Sequence, residues 1–240
     1  MLEVSFTFDP EPSPEDIVMK RGPGGPVYLD PTGTRAVVPR IPDTPISELV
    51  HPGLTAAAWL AARLRGEEVM HAGAYVVEDG AWIVIGDHEH GKSTLLGLLF
   101  SMGSEILADD MIVVRSGRAC AGPRCLDLRA EASERLELGS PARLGYKHRV
   151  GLPPIAAELP IHGFVHLDWS DDLSLRRLRP SERMSRLLAH TGQPPRRRPS
   201  EMLELSELPH FLLSRPRDWD MAVRSAELAQ GIMTGSKASA

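Results

Sequence analysis

The chain of 240 residues carries only two cysteines, Cys120 and Cys125. Two thiols cannot staple a disulfide-dependent secreted scaffold. With no His or second Cys pair nearby, they are not expected to bind zinc either. Long apolar runs are also missing, since none approaches the about 18 residues needed to span a bilayer. The opening stretch, MLEVSFTFDPEPSPED, lacks the basic start and apolar core of a signal peptide. A cytoplasmic location without a membrane partner is the expectation. Neither sign of charge dominates: 27 Lys and Arg stand against 32 Asp and Glu, a net charge of −5. That balance offers no bulk affinity for nucleic acid or an anionic membrane. Aromatics make up 5% of the chain, and Trp59, Trp82, Trp169 and Trp219 are scattered. They are expected to pack, not to form a stacking platform for bases.

What is present is ordinary for a globular protein, with 42% hydrophobic and 25% charged residues. One stretch departs from the ordinary. Gly86-Asp87-His88-Glu89-His90-Gly91-Lys92-Ser93 fits the phosphate-binding pattern G-x-x-x-x-G-K-[ST] at every fixed position. The apolar, β-rich residues 75–85 precede it, and TLLGLLFSM, starting at Thr94, reads as a helix behind it. In that context backbone N–H groups and the helix N-terminus form a cradle for nucleotide phosphates. Residues 86–94 are therefore the candidate nucleotide site. Lys92 would reach the β/γ-phosphates, and the Ser93 hydroxyl would ligate Mg²⁺.

Residues 1–50 are rich in Pro, Gly and acidic residues, with β-like pieces at 4–8 and 35–38. They read as a lead-in of short edge strands, before a nucleotide-binding catalytic domain over 51–235 and a disordered tail over 236–240. Residues 54–65 have strong helix formers and an apolar stripe. The Asp79-Gly80 pair between β-branched runs predicts a hairpin, so the strand entering the loop should run antiparallel to its predecessor. Residues 105–114 read as one buried strand interrupted by Asp109 and Asp110, and 124–129 as a short strand. Residues 163–169 and 173–178 read as a strand pair about Ser170-Asp171-Asp172. A helix is predicted over 180–190 with Ser181 as its cap, and a final one over 218–232. Arg196-Arg197-Arg198 reads as a solvated loop.

Asp109 and Asp110 sit between Ile106-Leu107-Ala108 and Met111-Ile112-Val113-Val114. Carboxylates are rarely buried unless paired or bound to a metal. Successive strand side chains also face opposite ways. One Asp would then serve Mg²⁺ and the other an acceptor hydroxyl; the alternative is a strand ending in a solvated turn. His71 precedes the hairpin, and position alone gives it no role. His88-Glu89-His90 with His71 admits a second reading, a transition-metal site.

Met70-His71-Ala72, the hairpin, G-x4-G-K-S and Leu107-Ala108-Asp109-Asp110 together resemble the HPr kinase/phosphorylase family. The likeness is specific over roughly 69–115. Leu126-Asp127-Leu128-Arg129 is similar to that family's acidic-x-Arg strand, and 147–153 to its basic loop. The resemblance implies an α/β fold, a mixed and partly antiparallel sheet with helices, of the HPr kinase/PEP carboxykinase-like P-loop type. It implies ATP and Mg²⁺ as cofactors. The expected activity is phosphoryl transfer to a serine of a small protein or precursor peptide, as in lasso-peptide pathways. The alternatives are a small-molecule hydroxyl acceptor or a nucleotide-binding accessory protein. Asp110 aligns with the carboxylate that accepts the serine proton, and His71 with the active-site histidine. Asp109 and Asp127 join Ser93 as metal-ligand candidates, while Arg129 and Arg149 would neutralise the transferring phosphoryl group. The family is often oligomeric, so a homo-oligomer is among the expectations. Glu89 departs from the family's usual glycine and adds negative charge to the loop.

Overall fold

The computed structural model describes residues 2–8, 10–19, 26–40, 42, 54–138, 142–144, 147–191 and 199–235. The Arg196-Arg197-Arg198 run and the tail from 236 lie outside them. The chain divides into a unit of Met1–Val69 with Gly192–Arg198 and a larger one of Met70–Thr191 with Pro199–Ala240.

In the first unit, β1 (Glu3–Thr7), β2 (Ile17–Met19), β3 (Val27–Leu29) and β4 (Arg35–Pro39) form one sheet in the order β1-β4-β3-β2. The β3–β4 turn is held by Asp30, whose carboxylate accepts from the backbone N–H of Thr32 and Thr34 at 3.1 and 2.7 Å. Helix α1 (Thr55–Leu64) buries Ala57 and Ala61 with Val27, Leu29, Ala36 and Val38. The helix assigned by sequence to the second segment thus completes the core of the first. Strand β5 (Glu68–Met70) leads into the second unit.

The elements that follow are β6 (Ala72–Val77), β7 (Gly80–Ile85), α2 (Lys92–Ser101), β8 (Ile106–Ala108), β9 (Ile112–Arg115) and β10 (Arg118–Cys120). Then come β11 (Cys125–Arg129), α3 (Ala130–Leu136), β12 (Ala142–Leu144), β13 (Lys147–Gly151), β14 (Glu158–Trp169) and β15 (Ser174–Arg177). The chain continues with α4 (Pro180–His190), α5 (Pro199–Glu207), β16 (His210–Arg215) and α6 (Trp219–Gly235). The architecture is mixed α/β. The main sheet of this unit runs β9-β10-β14-β7-β6-β8, with β16 joining β14 and β15 joining β16. Strands β11, β13 and β12 form a smaller antiparallel sheet. Among the described residues, no helix is long and apolar enough to cross a membrane.

The strand that feeds the loop is buried on both faces. Trp82 and Val84 pack with Leu95, Leu96 and Leu99 of α2 and Ala226 and Ala229 of α6. Ala81, Ile83 and Ile85 face Leu187, Met202 and Leu205 of α4 and α5. Period-2 alternation between two apolar faces makes a three-layer arrangement. Helix α2 buries leucines around most of its circumference, which accounts for a sequence without an amphipathic stripe. Gly73 permits this packing, because a Cβ there would lie 2.4 Å from Leu96 Cδ1.

Three expectations are corrected. Residues 105–114 form two strands, not one, broken at Asp109-Asp110. Strand β8 pairs with β6 while β9 pairs with β10. In a flat sheet of this order β8 and β9 would be about 24 Å apart, yet the four residue steps from Ala108 to Ile112 reach at most about 15 Å. The sheet therefore curls, and the carboxylate pair lies at the corner. Second, β14 and β15 do not pair with each other: β16 lies between them, parallel to β14 and antiparallel to β15. Third, Ser181 does not cap α4. The N-cap is Arg179, whose backbone N–H donates to the Glu182 carboxylate at 3.0 Å, with Pro180 opening the helix.

Candidate active site

The hairpin β6–β7 is in register from Ala72↔Ile85 to Val77↔Gly80, and β14 pairs parallel to β7 on its other side, so Ile85 is clamped between two strands. Residues 86–91 leave that rigid strand end and turn into α2. Gly91 caps the helix at φ 75°, a left-handed conformation that suits glycine. Glu89 adopts φ 66° without that freedom. A cleft of about 500 Å³ opens over the helix start. It is lined by His71, His88, Glu89, Gly91, Lys92, Ser93, Thr94, Asp110, Asp127, Arg129 and Lys147.

Lys92 is buried, and its ammonium donates to the carbonyl oxygens of Gly86 and Asp87 at 2.7 and 3.0 Å. Burial pushes its pKa down, against the pull of the Asp110, Asp109 and Asp87 carboxylates. The Ser93 hydroxyl donates to Asp109 Oδ1 at 2.9 Å, and the Asp127 backbone N–H donates to Asp109 Oδ2 at 3.3 Å. Burial pushes the Asp109 carboxyl up to about 6; the Ser93 hydrogen bond opposes the rise and the Asp110 charge adds to it. Asp110 takes the opposite course, at φ 75° and half-exposed, with Oδ1 3.3 Å from His71 Nε2. The two carboxylates thus have different environments, one buried under Ser93 and one facing the cleft with an imidazole.

Asp127 and Arg149 face each other across β11 and β13 in a bidentate pair. Arg149 Nε and Nη2 donate to the two carboxylate oxygens at 2.7 Å each, with both side chains nearly buried. Arg129, two residues along β11, is bound to Glu89 across the cleft. The Arg129 contact is the foremost cause holding the Glu89 carboxyl below its ordinary range.

Of the other candidates, Gly86, Asp87, His90, Asp109 and Arg149 do not line the cleft. Asp109 lies beneath Ser93, and Arg149 stands behind Asp127. His90 turns away, with Nδ1 3.2 Å from the Leu167 carbonyl and its ring edge-on to Trp169. Asp87 is exposed, with His90 Nε2 and His190 Nε2 each 3.9 Å from its carboxylate. Among the described residues, no three His, Cys, Asp or Glu side chains converge on a metal position, so the His88-Glu89-His90 reading gains nothing. An oxygen pair does exist at Ser93 Oγ and Asp109 Oδ1, the donor chemistry that Mg²⁺ takes together with phosphate oxygens and water.

Sequence reasoning reaches Lys147, which lines the cleft, only as the start of the basic 147–153 stretch, and Trp169 only as a packing residue; it gives no role to Arg215 beside the loop. Arg215 is a lone cation closing an apolar run, FLLSR. A charge in that position is a signal only once the run is recognised as a buried strand.

No family model matches the chain, and no curated protein matches it. Solved structures do match, among them the Hpr(Ser) kinase/phosphatase from Coxiella burnetii. That likeness has 11% identity and a TM-score of 0.38 over 70% of this chain and 98% of the other. A superposition this loose carries no argument about this protein.

Proposed function

We propose that the protein is an ATP- and Mg²⁺-dependent kinase that phosphorylates a serine, or a similar hydroxyl, of a peptide or small protein. The observation that carries this reading is the juxtaposition of His71–Asp110 with Lys92 and Ser93 on one cleft. Phosphoryl transfer asks mainly for positioning and charge stabilisation. Loop N–H groups at the start of α2 suit the donor phosphates. Lys92, released from the Gly86 and Asp87 carbonyls, would bind their oxygens. Ser93 and Asp109 would hold the cation, which, when bound, neutralises phosphate charge. Asp110 would take the proton of the acceptor hydroxyl as its oxygen bonds to the γ-phosphorus and the bond from that phosphorus to the bridging oxygen breaks, ADP leaving, with His71 holding the carboxylate in place. Arg129 and Lys147 would supply positive charge beside the transferring group. Arg149 keeps Asp127 engaged, so Asp127 would contribute through its backbone N–H to Asp109 more than through its carboxylate.

A peptide acceptor is favoured over a small molecule because the Asp110 side chain is 49% exposed and that of His71 40%, an open approach and not a sealed chamber. The test is Mg²⁺-dependent ATP consumption with serine-containing peptides and with free amino acids, comparing wild type with Asp110→Asn. Peptide-stimulated turnover in wild type, with loss of at least about 100-fold in the variant at unchanged nucleotide affinity, is the expected result. Turnover with free amino acids alone would move the acceptor to a small molecule. Nucleotide binding that disappears in Asp110→Asn would remove the acceptor-base role.

A further inference from the structure

Against the loop, and not among the residues that line the cleft, lies a cation that the chemistry above does not use. Arg215 ends β16 with 1% of its surface exposed. Its Nη2 donates to the carbonyl oxygens of both His90 and Gly91 at 3.1 Å. Nε and Nη1 have no hydrogen-bond partner among the described residues, and no carboxylate among them forms an ion pair with the guanidinium. Its neighbour is Trp169, with the guanidinium 5.3 Å from the ring centroid and that of Arg217 4.9 Å from the same ring. An almost fully buried arginine without an acid is costly, and such charges are ordinarily paired.

The two carbonyls belong to consecutive peptide groups, His90–Gly91 and Gly91–Lys92. In a trans peptide the N–H points opposite to the C=O. Arg215 holds the His90 carbonyl and so turns the Gly91 N–H away from itself. The Gly91 carbonyl accepts both from Arg215 and from the Leu95 N–H at 2.9 Å, so Arg215 and the first turn of α2 together turn the Lys92 N–H the same way, and Gly91 and Lys92 line the cleft. Gly91 is required for this approach as well as for its φ, because a Cβ there would lie 2.6 Å from Arg215 Nη2.

We propose that Arg215 is a positioning residue for polyphosphate: it aims two loop N–H groups into the cleft and holds an unneutralised positive charge behind them. The inference rests on the phosphate-binding reading of residues 86–93 and deepens it. It makes a highly charged anion the partner that compensates a cation with no acidic partner among the described residues.

The experiment measures binding of inorganic tripolyphosphate and of ATP, without acceptor, by calorimetry and by ligand-induced thermal shift. Wild type is compared with Arg215→Met and Arg215→Lys. The expected result for Arg215→Met is tripolyphosphate and ATP affinity about 10- to 100-fold weaker. Its ligand-free melting temperature should be equal or higher, since an apolar residue replaces a buried charge. Arg215→Lys keeps the charge but not the fork across two carbonyls, and should fall between the two. It also serves as the test if the methionine variant does not fold. Unchanged affinity in a folded variant overturns the proposal and leaves the kinase reading standing. Failure of wild type to bind tripolyphosphate or ATP overturns both.

Discussion

The Ser93 hydroxyl donates to Asp109 Oδ1 at 2.9 Å, joining the start of α2 to the corner between β8 and β9. The contact ties the end of the 86–93 segment to the acidic pair. Burial raises the Asp109 pKa to about 6, and this hydrogen bond works against the rise. Ser93→Ala should therefore weaken Mg²⁺-dependent nucleotide binding about 10-fold or more, while metal-free binding changes little. Titration of ATP with and without Mg²⁺ checks this. Equal losses in both conditions would mean that Ser93 acts on the loop and not on a cation.

Lys92→Ala should remove nucleotide binding while preserving the fold. Its ammonium donates to carbonyls of its own loop at 2.7 and 3.0 Å, and burial pushes its pKa down. Loss of at least about 100-fold in ATP affinity is expected, with a melting temperature within a few degrees of wild type. Calorimetry and a thermal melt of the same sample suffice.

Glu89→Gly should tighten ATP binding by a few-fold. Glycine adopts the φ of 66° at low cost, and the substitution frees Arg129 from its ion pair. The variant also takes a negative charge away from the cleft. A marked fall in turnover with intact binding would show that the Glu89–Arg129 pair has a part in transfer.

Arg149→Met should destabilise the protein by about 3–5 kcal/mol, because it removes the bidentate cation from the nearly buried Asp127 carboxylate. Replacing both partners, Arg149→Met with Asp127→Leu, should recover much of that loss. Urea unfolding of the two variants separates these outcomes. A double variant as unstable as the single one would contradict the pairing account.

Acid should unfold the protein through His166 and His210. His210 Nε2 meets the Leu205 carbonyl at 3.0 Å and must carry the proton, so its Nδ1 accepts from His166 Nε2 at 2.9 Å. Both imidazoles are then neutral in the folded state, with burial pushing His166 down to about 3 and His210 to about 4. The unfolded chain binds protons near the ordinary value of about 6.5, so stability is full above that pH and declines as pH falls toward 4. Each histidine should cost about 2 kcal/mol between pH 7 and pH 5. His210→Gln should flatten the pH dependence of the urea midpoint; an unchanged slope would place the acid sensitivity elsewhere.

Much of the local structure is readable from the residues. The Asp79-Gly80 signal places the hairpin, and the strand–loop–helix order around Gly86 to Ser93 places the loop, because both depend on φ preferences and hydrophobic periods within about ten residues. Strand β16 and the true partner of β15 are not readable in this way. Apolar runs of similar length do not announce which strand lies beside them, and β16 pairs in parallel with β14 from some 40 residues downstream, His210 standing opposite Phe164. Asp109 and Asp110 look like part of one strand because the residues on both sides are apolar. The break is visible only as a change of pairing partner from β6 to β10.

The sequence by itself determined the phosphate-loop pattern, its flanking strand and helix, and a pair of acidic residues that had to be reconciled with an apolar neighbourhood. These follow from covalent geometry and short-range burial, which neighbouring residues dictate. Tertiary structure alone decided that Asp110 meets His71 while Asp109 meets Ser93, that Arg149 engages Asp127, and that Arg215 supports the loop from 124 residues away. Those partners are selected by strand register and by the requirement that buried polar groups find hydrogen bonds. Both conditions are met only when the whole sheet has assembled.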